Sequence, residues 1–237
     1  MDIAGLQKMT LLDFPGKVAC TVFLPGCNFR CPFCHNSGLL DSTAPDAMTT
    51  TELLSFLQKR QGLLDGVCLT GGEPTLHPSL EDLIRDIKAL GFSVKLDTNG
   101  TRPLVLQRLI SEQLVDYVAM DVKNSPTLYG DTVGQTDCAL DDIEQSLKLL
   151  LSHVVDYELR TTVVDELHNE QAFWEIGEWL TRLSPQKKAT RFFLQSYVDR
   201  DNVLCSGLHA PSVDALQRYA ARLAPYVETV SLRGVDV

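Results

Sequence analysis

The sequence predicts an α/β fold: a parallel sheet curled into an incomplete barrel, a partial (β/α)6 barrel with an additional C-terminal strand. Three observations carry this expectation. Short apolar, β-branched runs alternate along the chain with longer segments of helical periodicity. Glycines and chemically active side chains fall at the ends of those runs. A length of 237 residues, with the chain closing soon after its last strand, suits six strand–helix units better than eight.

The elements follow in order. "VACTVFL" (18–24) reads as a strand stopped by Pro25-Gly26, and "TTTELLSFLQKRQ" (49–61) as a helix with Leu53, Leu54 and Leu57 on one face. "GVCLTGG" (66–72) is a short buried strand. "SLEDLIRDIKALG" (79–91) has Ser79 in the N-cap position, Asp82 in the capping-box place and Gly91 at the C-terminal end. "FSVKLDTNG" (92–100), a helix near 104–114 and the strand "DYVAMDVK" (116–123) come next. Helices at 139–152, 169–183 and 212–224 alternate with strands "DYELRTTVV" (156–164), "ATRFFLQSY" (189–197) and "VETVSLRG" (227–234). Alternation of this kind predicts right-handed crossovers and parallel pairing. No linker, charge block or repeat divides the chain, so residues 1–237 are expected to form one domain, with residues 1–17 flanking the barrel opening.

Composition narrows the function classes. A content of 44% hydrophobic and 22% charged residues is that of a globular chain able to bury a core. The net charge of -10 argues against nucleic-acid binding through phosphate contacts. No window approaches about 18 consecutive apolar residues. Asp2, Lys8, Asp13, Pro15 and Lys17 interrupt any signal-peptide core. The expectation is a soluble, cytoplasmic protein that acts on neither nucleic acid nor membrane.

Seven cysteines, an odd number, sit badly with a closed disulfide framework. Cys20, Cys68, Cys138 and Cys205 are scattered singly, and the first two lie in apolar runs that suit small buried hydrophobes. Cys27, Cys31 and Cys34 are different: within "GCNFRCPFCHN" they are spaced C-x3-C-x2-C with no fourth cysteine. In a parallel barrel, active groups gather at the C-terminal ends of the strands. There the sequence sets these three cysteines, then "TGGEPT" (70–75), "LDTNG" (96–100) and "MDVK" (120–123), with Arg160 and Gln195 on the two strands that follow.

Zinc is one reading of the trio, but zinc sites usually add a second, distant Cys or His pair, and His35 follows Cys34 too directly to share a metal with it. Soft thiolates also suit an iron–sulfur cluster, and three ligands on four irons keep one iron open to another molecule. Residues 14–40 include Lys17 and Arg30 and no Asp or Glu, which favours an anionic thiolate assembly. Spacing and context together favour the cluster over zinc.

The cysteine motif with Phe33 before its last cysteine, followed by "GGEP" (71–74), resembles the radical S-adenosylmethionine superfamily. The stretch "DFPGKVACTVFLPGCNFRCPFCHN", with "LDTNG" and "DVK", is similar to its glycyl-radical-enzyme activases, in particular the anaerobic ribonucleoside-triphosphate reductase activating family. The resemblance is dense to residue 123 and loose beyond it. It implies one [4Fe–4S] cluster ligated by Cys27, Cys31 and Cys34, with S-adenosylmethionine on the open iron. Gly71 and Gly72 would lie along the methionine moiety and Glu73 would accept a hydrogen bond at that edge. Alone, the Gly-Gly pair reads as a simple turn. Phe33 would pack near the adenine, with a plain core aromatic as the alternative. Asp97 and Asp121 would complement the amino group, and Lys123 would face the carboxylate in a catalytic role beside the cysteines. Asp97, Thr98 and Asp121 are also candidates for a monovalent cation. Arg160 matches a strand-five arginine whose other reading is a structural ion pair, while Gln195 stands where a related activase has histidine.

The activity implied is reductive cleavage of S-adenosylmethionine and removal of a hydrogen from a glycine of a partner, the anaerobic ribonucleotide reductase being the expected one. A flavodoxin- or ferredoxin-type protein would donate the electron. The alternatives are a radical enzyme acting on a small molecule, such as a deazapurine-type ring-forming enzyme, and a non-catalytic metal-binding protein, which leaves GGEP and the strand-end carboxylates unexplained. Related activases that carry an inserted ferredoxin-like domain have further cysteine clusters, and this chain has none.

Overall fold

Strand formation begins earlier than the β-branched runs suggest. In the computed structural model, which describes residues 2–41, 48–135, 138, 140–200 and 202–235, residues Asp2–Ile3 (β1) and Gly5–Thr10 (β2) are already extended. Most of residues 2–10 is thus sheet, and residues 11–17 form bends and turns. The chain divides into two compact units, residues 1–28, 38–98 and 104–119 in the first and residues 29–37, 99–103 and 120–237 in the second.

In the first unit β2 runs antiparallel to β3 (Ala19–Leu24), and β3, β5 (Gly66–Gly71) and β6 (Ser93–Thr98) pair parallel. A two-residue strand, β4 (Met48–Thr49), pairs antiparallel with β1. Val67, Cys68 and Leu69 are all fully buried, the continuous apolar run expected of a parallel strand covered on both faces. Helix α1 (Thr50–Gln58) buries Leu53 and Leu57. Helix α2 (Leu80–Ala89) buries Leu80, Leu83, Ile84 and Ile87. Each such side chain contributes roughly 1.5–3 kcal/mol on leaving water. Helix α3 (Pro103–Ser111) starts with proline in its first turn, where the missing N–H costs nothing.

The capping expectation needs correcting. Ser79 stands at the N-cap of α2 but makes no side-chain cap, because its backbone (φ -95°, ψ 13°) is not extended. The complete capping box belongs to α1 instead, where Thr49 accepts from the Glu52 N–H and the Glu52 carboxylate accepts from the Thr49 N–H at 2.8 Å.

Strand β7 (Tyr117–Asp121) gives its first three residues to the first unit and its last two to the second. In the second unit β8 (Asp156–Val163), β9 (Ala189–Ser196) and β10 (Val227–Arg233) pair parallel. The helices here are α4 (Tyr129–Val133), α5 (Leu140–Leu151), α6 (Glu170–Leu183) and α7 (Val213–Leu223). Asn169 and Ser212 cap α6 and α7 by accepting from Ala172 N and Ala215 N. Ile143, Leu147, Phe173, Ile176 and Leu216 form part of the buried core. Among the described residues no helix is long and apolar enough to cross a membrane. The fold is α/β with a mostly parallel sheet, as the alternating pattern predicts.

Candidate functional site

In the first unit the chain leaves β3 through Pro25 and Gly26, which takes a left-handed φ of 87°. Backbone bonds fix the turn: Gly26 N donates to Leu39 O (2.7 Å), Cys27 N to Leu40 O (3.1 Å) and Glu73 N to Gly26 O (2.8 Å). Gly71 and Gly72 are needed by this turn. A Cβ at Gly72 would lie 2.0 Å from Gly26 O and 3.2 Å from Cys27 Cβ; one at Gly71 would lie 2.2 Å from Leu24 O. The two glycines therefore bring the GGEP segment against the backbone that carries Cys27.

The buried Glu73 carboxylate works locally. Its Oε1 accepts from Thr75 N at 3.0 Å, capping a 3-10 turn over Pro74–Leu76, and from Thr98 Oγ1 at 2.8 Å. Asp97 is also engaged: the buried Lys95 ammonium donates to its Oδ1, and the Cys68 thiol lies 3.7 Å from the same oxygen. Cys20, by contrast, is sealed in the core, and burial pushes its thiol up to about 12, against a smaller opposing effect of its backbone hydrogen bond. It is an inert packing residue.

In the second unit, Cys34 N donates to Cys31 O at 3.1 Å, closing a turn between the two cysteines. Arg30 N donates to Val133 O at 2.9 Å, and Gly134, at φ 68°, leaves room for the Arg30 carbonyl. Phe33 is buried and Phe29 meets Tyr129 edge-on, ring centroids 6.5 Å apart. The loop after β9 covers the same turn: Cys205 N donates to Pro32 O at 3.0 Å, and His35 stacks on Tyr197 at 5.5 Å. None of the seven cysteines, all among the described residues, is in a disulfide.

Asp121, Lys123 and Arg160 come together. Lys123 Nζ donates to Asp121 Oδ2 at 2.8 Å and Arg160 Nε to Oδ1 at 2.9 Å. Burial alone would raise the Asp121 pKa, but the Arg160 and Lys123 charges, with their hydrogen bonds, outweigh it and hold the carboxyl well below its ordinary range. Burial opposes the Lys123 charge in turn, and Asp121 with the charge of Cys31 keeps the ammonium protonated. Arg160, in the middle of β8, thus has the ion-pair partner that its structural reading required. Gln195 is half-buried on β9 and registers with Thr162 and Arg233.

Two supporting residues were missed in the sequence. Lys123 N donates to the fully buried Tyr129 hydroxyl at 3.3 Å, and Lys123 O lies 2.9 Å from His168 Nε2, while Val164 N donates to His168 Nδ1 at 3.1 Å. Burial lowers the His168 pKa and keeps the ring neutral, despite its bonds to backbone. Both sides of the Lys123 peptide are therefore fixed by buried rings. Among the described residues no group of three or more His, Cys, Asp or Glu side chains is arranged to hold a metal ion.

A pH prediction follows from Asp121. Its folded pKa lies below the ordinary 3.8, so its stabilisation is fully present above that value and is lost as pH falls. Asp121→Asn is expected to cost about 2 kcal/mol at neutral pH, less than for a wholly buried pair, and the gap to wild type should close below pH 3.8. Urea titrations across pH check it, and a gap that widens in acid contradicts it.

A family profile, "Radical SAM superfamily", matches residues 21–180. A "putative glycyl-radical enzyme activating enzyme" of Methanocaldococcus jannaschii is 29% identical over 243 residues, covering 99% of this chain and 96% of that protein. The pyruvate formate-lyase-activating enzyme of Clostridium pasteurianum is 31% identical over 127 residues, 52% of each chain. The 7-carboxy-7-deazaguanine synthase of Hyperthermus butylicus is 38% identical over 92 residues, 38% of each. A radical SAM methyltransferase structure from Sphaerobacter thermophilus superposes with a TM-score of 0.72 at 15% identity, covering 95% of this chain and 68% of that one. That likeness shows the fold.

Proposed function

Because the chain belongs to the radical SAM superfamily, we propose that it is a glycyl-radical-enzyme activase, acting in the cytoplasm on a partner protein. The observation that carries the reading is the activating-enzyme relative matched over 99% of this chain and 96% of its own length. Cys27, Cys31 and Cys34 would hold a [4Fe–4S] cluster, whose iron their soft sulfur donors suit. When bound, such a cluster supplies an electron to the sulfonium of S-adenosylmethionine.

The chain's own residues bind and orient. Gly71 and Gly72 hold the GGEP backbone against the Cys27 turn, and Glu73 stiffens the segment that follows. Lys123, presented by its fixed peptide, offers a permanent positive charge to the S-adenosylmethionine carboxylate. Asp121 and Arg160 set the direction of that ammonium. Asp97, which also accepts from Lys95, would complement the amino group, and the buried Phe33 would supply an apolar wall beside the adenine.

Anaerobic ribonucleoside-triphosphate reductase is the first partner to test, with a flavodoxin- or ferredoxin-type protein as electron donor. The second reading, a radical enzyme of small molecules, draws on the deazaguanine synthase match, which covers only 38% of this chain. Anaerobic incubation of the reduced protein with S-adenosylmethionine separates the two. A partner protein, or a peptide spanning its glycine loop, is expected to raise 5′-deoxyadenosine above the uncoupled level. Stimulation by a small metabolite alone supports the second reading.

A further inference from the structure

Strand β6 buries a lysine that the proposed chemistry does not use. Lys95 lies on the same strand face as Asp97 and opposite Cys68 in the parallel register with β5. Its side chain is 2% exposed and that of Asp97 14%. The ammonium donates to Asp97 Oδ1, and Cys68 Sγ lies 3.8 Å from Nζ. A buried ammonium persists only when paired, so position 95 is committed to this carboxylate.

The positions considered for a monovalent cation do not fit one. Asp97 already carries the Lys95 charge, Asp121 accepts from Lys123 and Arg160, and Thr98 Oγ1 donates to Glu73. An ammonium group resembles a potassium ion in charge and in its preference for oxygen neighbours. A tethered one needs no binding equilibrium and is not lost in low salt. We propose that Lys95 is a positioning residue that supplies, from within the chain, the single positive charge a monovalent cation would otherwise bring to Asp97, so that S-adenosylmethionine binding is independent of sodium and potassium. The inference rests on the proposed S-adenosylmethionine site and adds how its carboxylate is held.

The test is anaerobic equilibrium dialysis of the reconstituted protein with S-adenosylmethionine, in potassium or tetramethylammonium chloride at equal ionic strength. Wild type should bind equally in both. Lys95→Met, which keeps the length and removes the charge, should bind about tenfold more weakly in tetramethylammonium and regain affinity in potassium. Thermal unfolding of the apoproteins is a second readout: only Lys95→Met should melt at a higher temperature in potassium. Wild type losing affinity without potassium overturns the inference, as does Lys95→Met that is equally indifferent to the cation in both measurements. Wild type that binds no S-adenosylmethionine in either salt sinks the proposed function instead, and the melting comparison then decides the role of Lys95 alone.

Discussion

Alanine in place of Cys27, Cys31 or Cys34 is expected to abolish iron retention and S-adenosylmethionine cleavage. A cluster with one iron left open has no spare protein ligand, so losing any of the three removes a third of its anchoring. Reconstituted wild type should carry about four irons and four sulfides per chain, and each variant close to none. Cys20→Ala is the control, since its thiol is pushed up to about 12 by burial and serves packing. Iron and sulfide analysis with Mössbauer spectra reads the result. A variant of the trio that keeps its iron, or wild type that binds only zinc, contradicts the assignment.

Gly72→Ala is expected to be strongly damaging for the addition of a single methyl group. Its Cβ would lie 2.0 Å from Gly26 O, a backbone atom that also accepts from Glu73 N at 2.8 Å. Relief requires moving the turn that carries Cys27, so stability and iron retention should fall together. Overpacking of this kind costs about 3 kcal/mol or more. Gly62→Ala is the comparison: that glycine has φ 77°, and a methyl group there would meet nothing within 4 Å, so only backbone strain of about 1–2 kcal/mol applies. Urea titrations of both variants measure the difference. Equal losses, with iron content unchanged in Gly72→Ala, would show that the glycine does not hold the two segments together.

These two cases mark what could be read from the chain. The strands were legible because parallel, doubly covered strands are continuous apolar runs, as in "GVCLTGG", and the cysteine spacing stands out in any context. The role of Gly72 was legible only in part. The sequence shows that a residue without a Cβ is needed, but which neighbour comes close depends on the β3–β5 pairing. Lys95 could have been found: in "SVKLD" it alternates onto the face of Asp97, and a lysine inside an otherwise buried strand demands a partner. Tyr129 and His168 could not, because they lie in stretches without periodicity and reach Lys123 only through tertiary packing. The cap at Thr49 was missed for a different reason. Ser79 and Thr49 carry the same local signal, and backbone dihedrals, which sequence does not show, decide between them.

The most direct test of the activase reading is electron paramagnetic resonance on the same anaerobic incubation of reduced protein, S-adenosylmethionine and anaerobic ribonucleoside-triphosphate reductase or another glycyl-radical enzyme. The account predicts a glycyl-radical signal in the partner that requires S-adenosylmethionine and disappears when the partner's glycine is replaced by alanine. No radical in any glycyl-radical enzyme, while a small metabolite is turned over in step with 5′-deoxyadenosine, would contradict it.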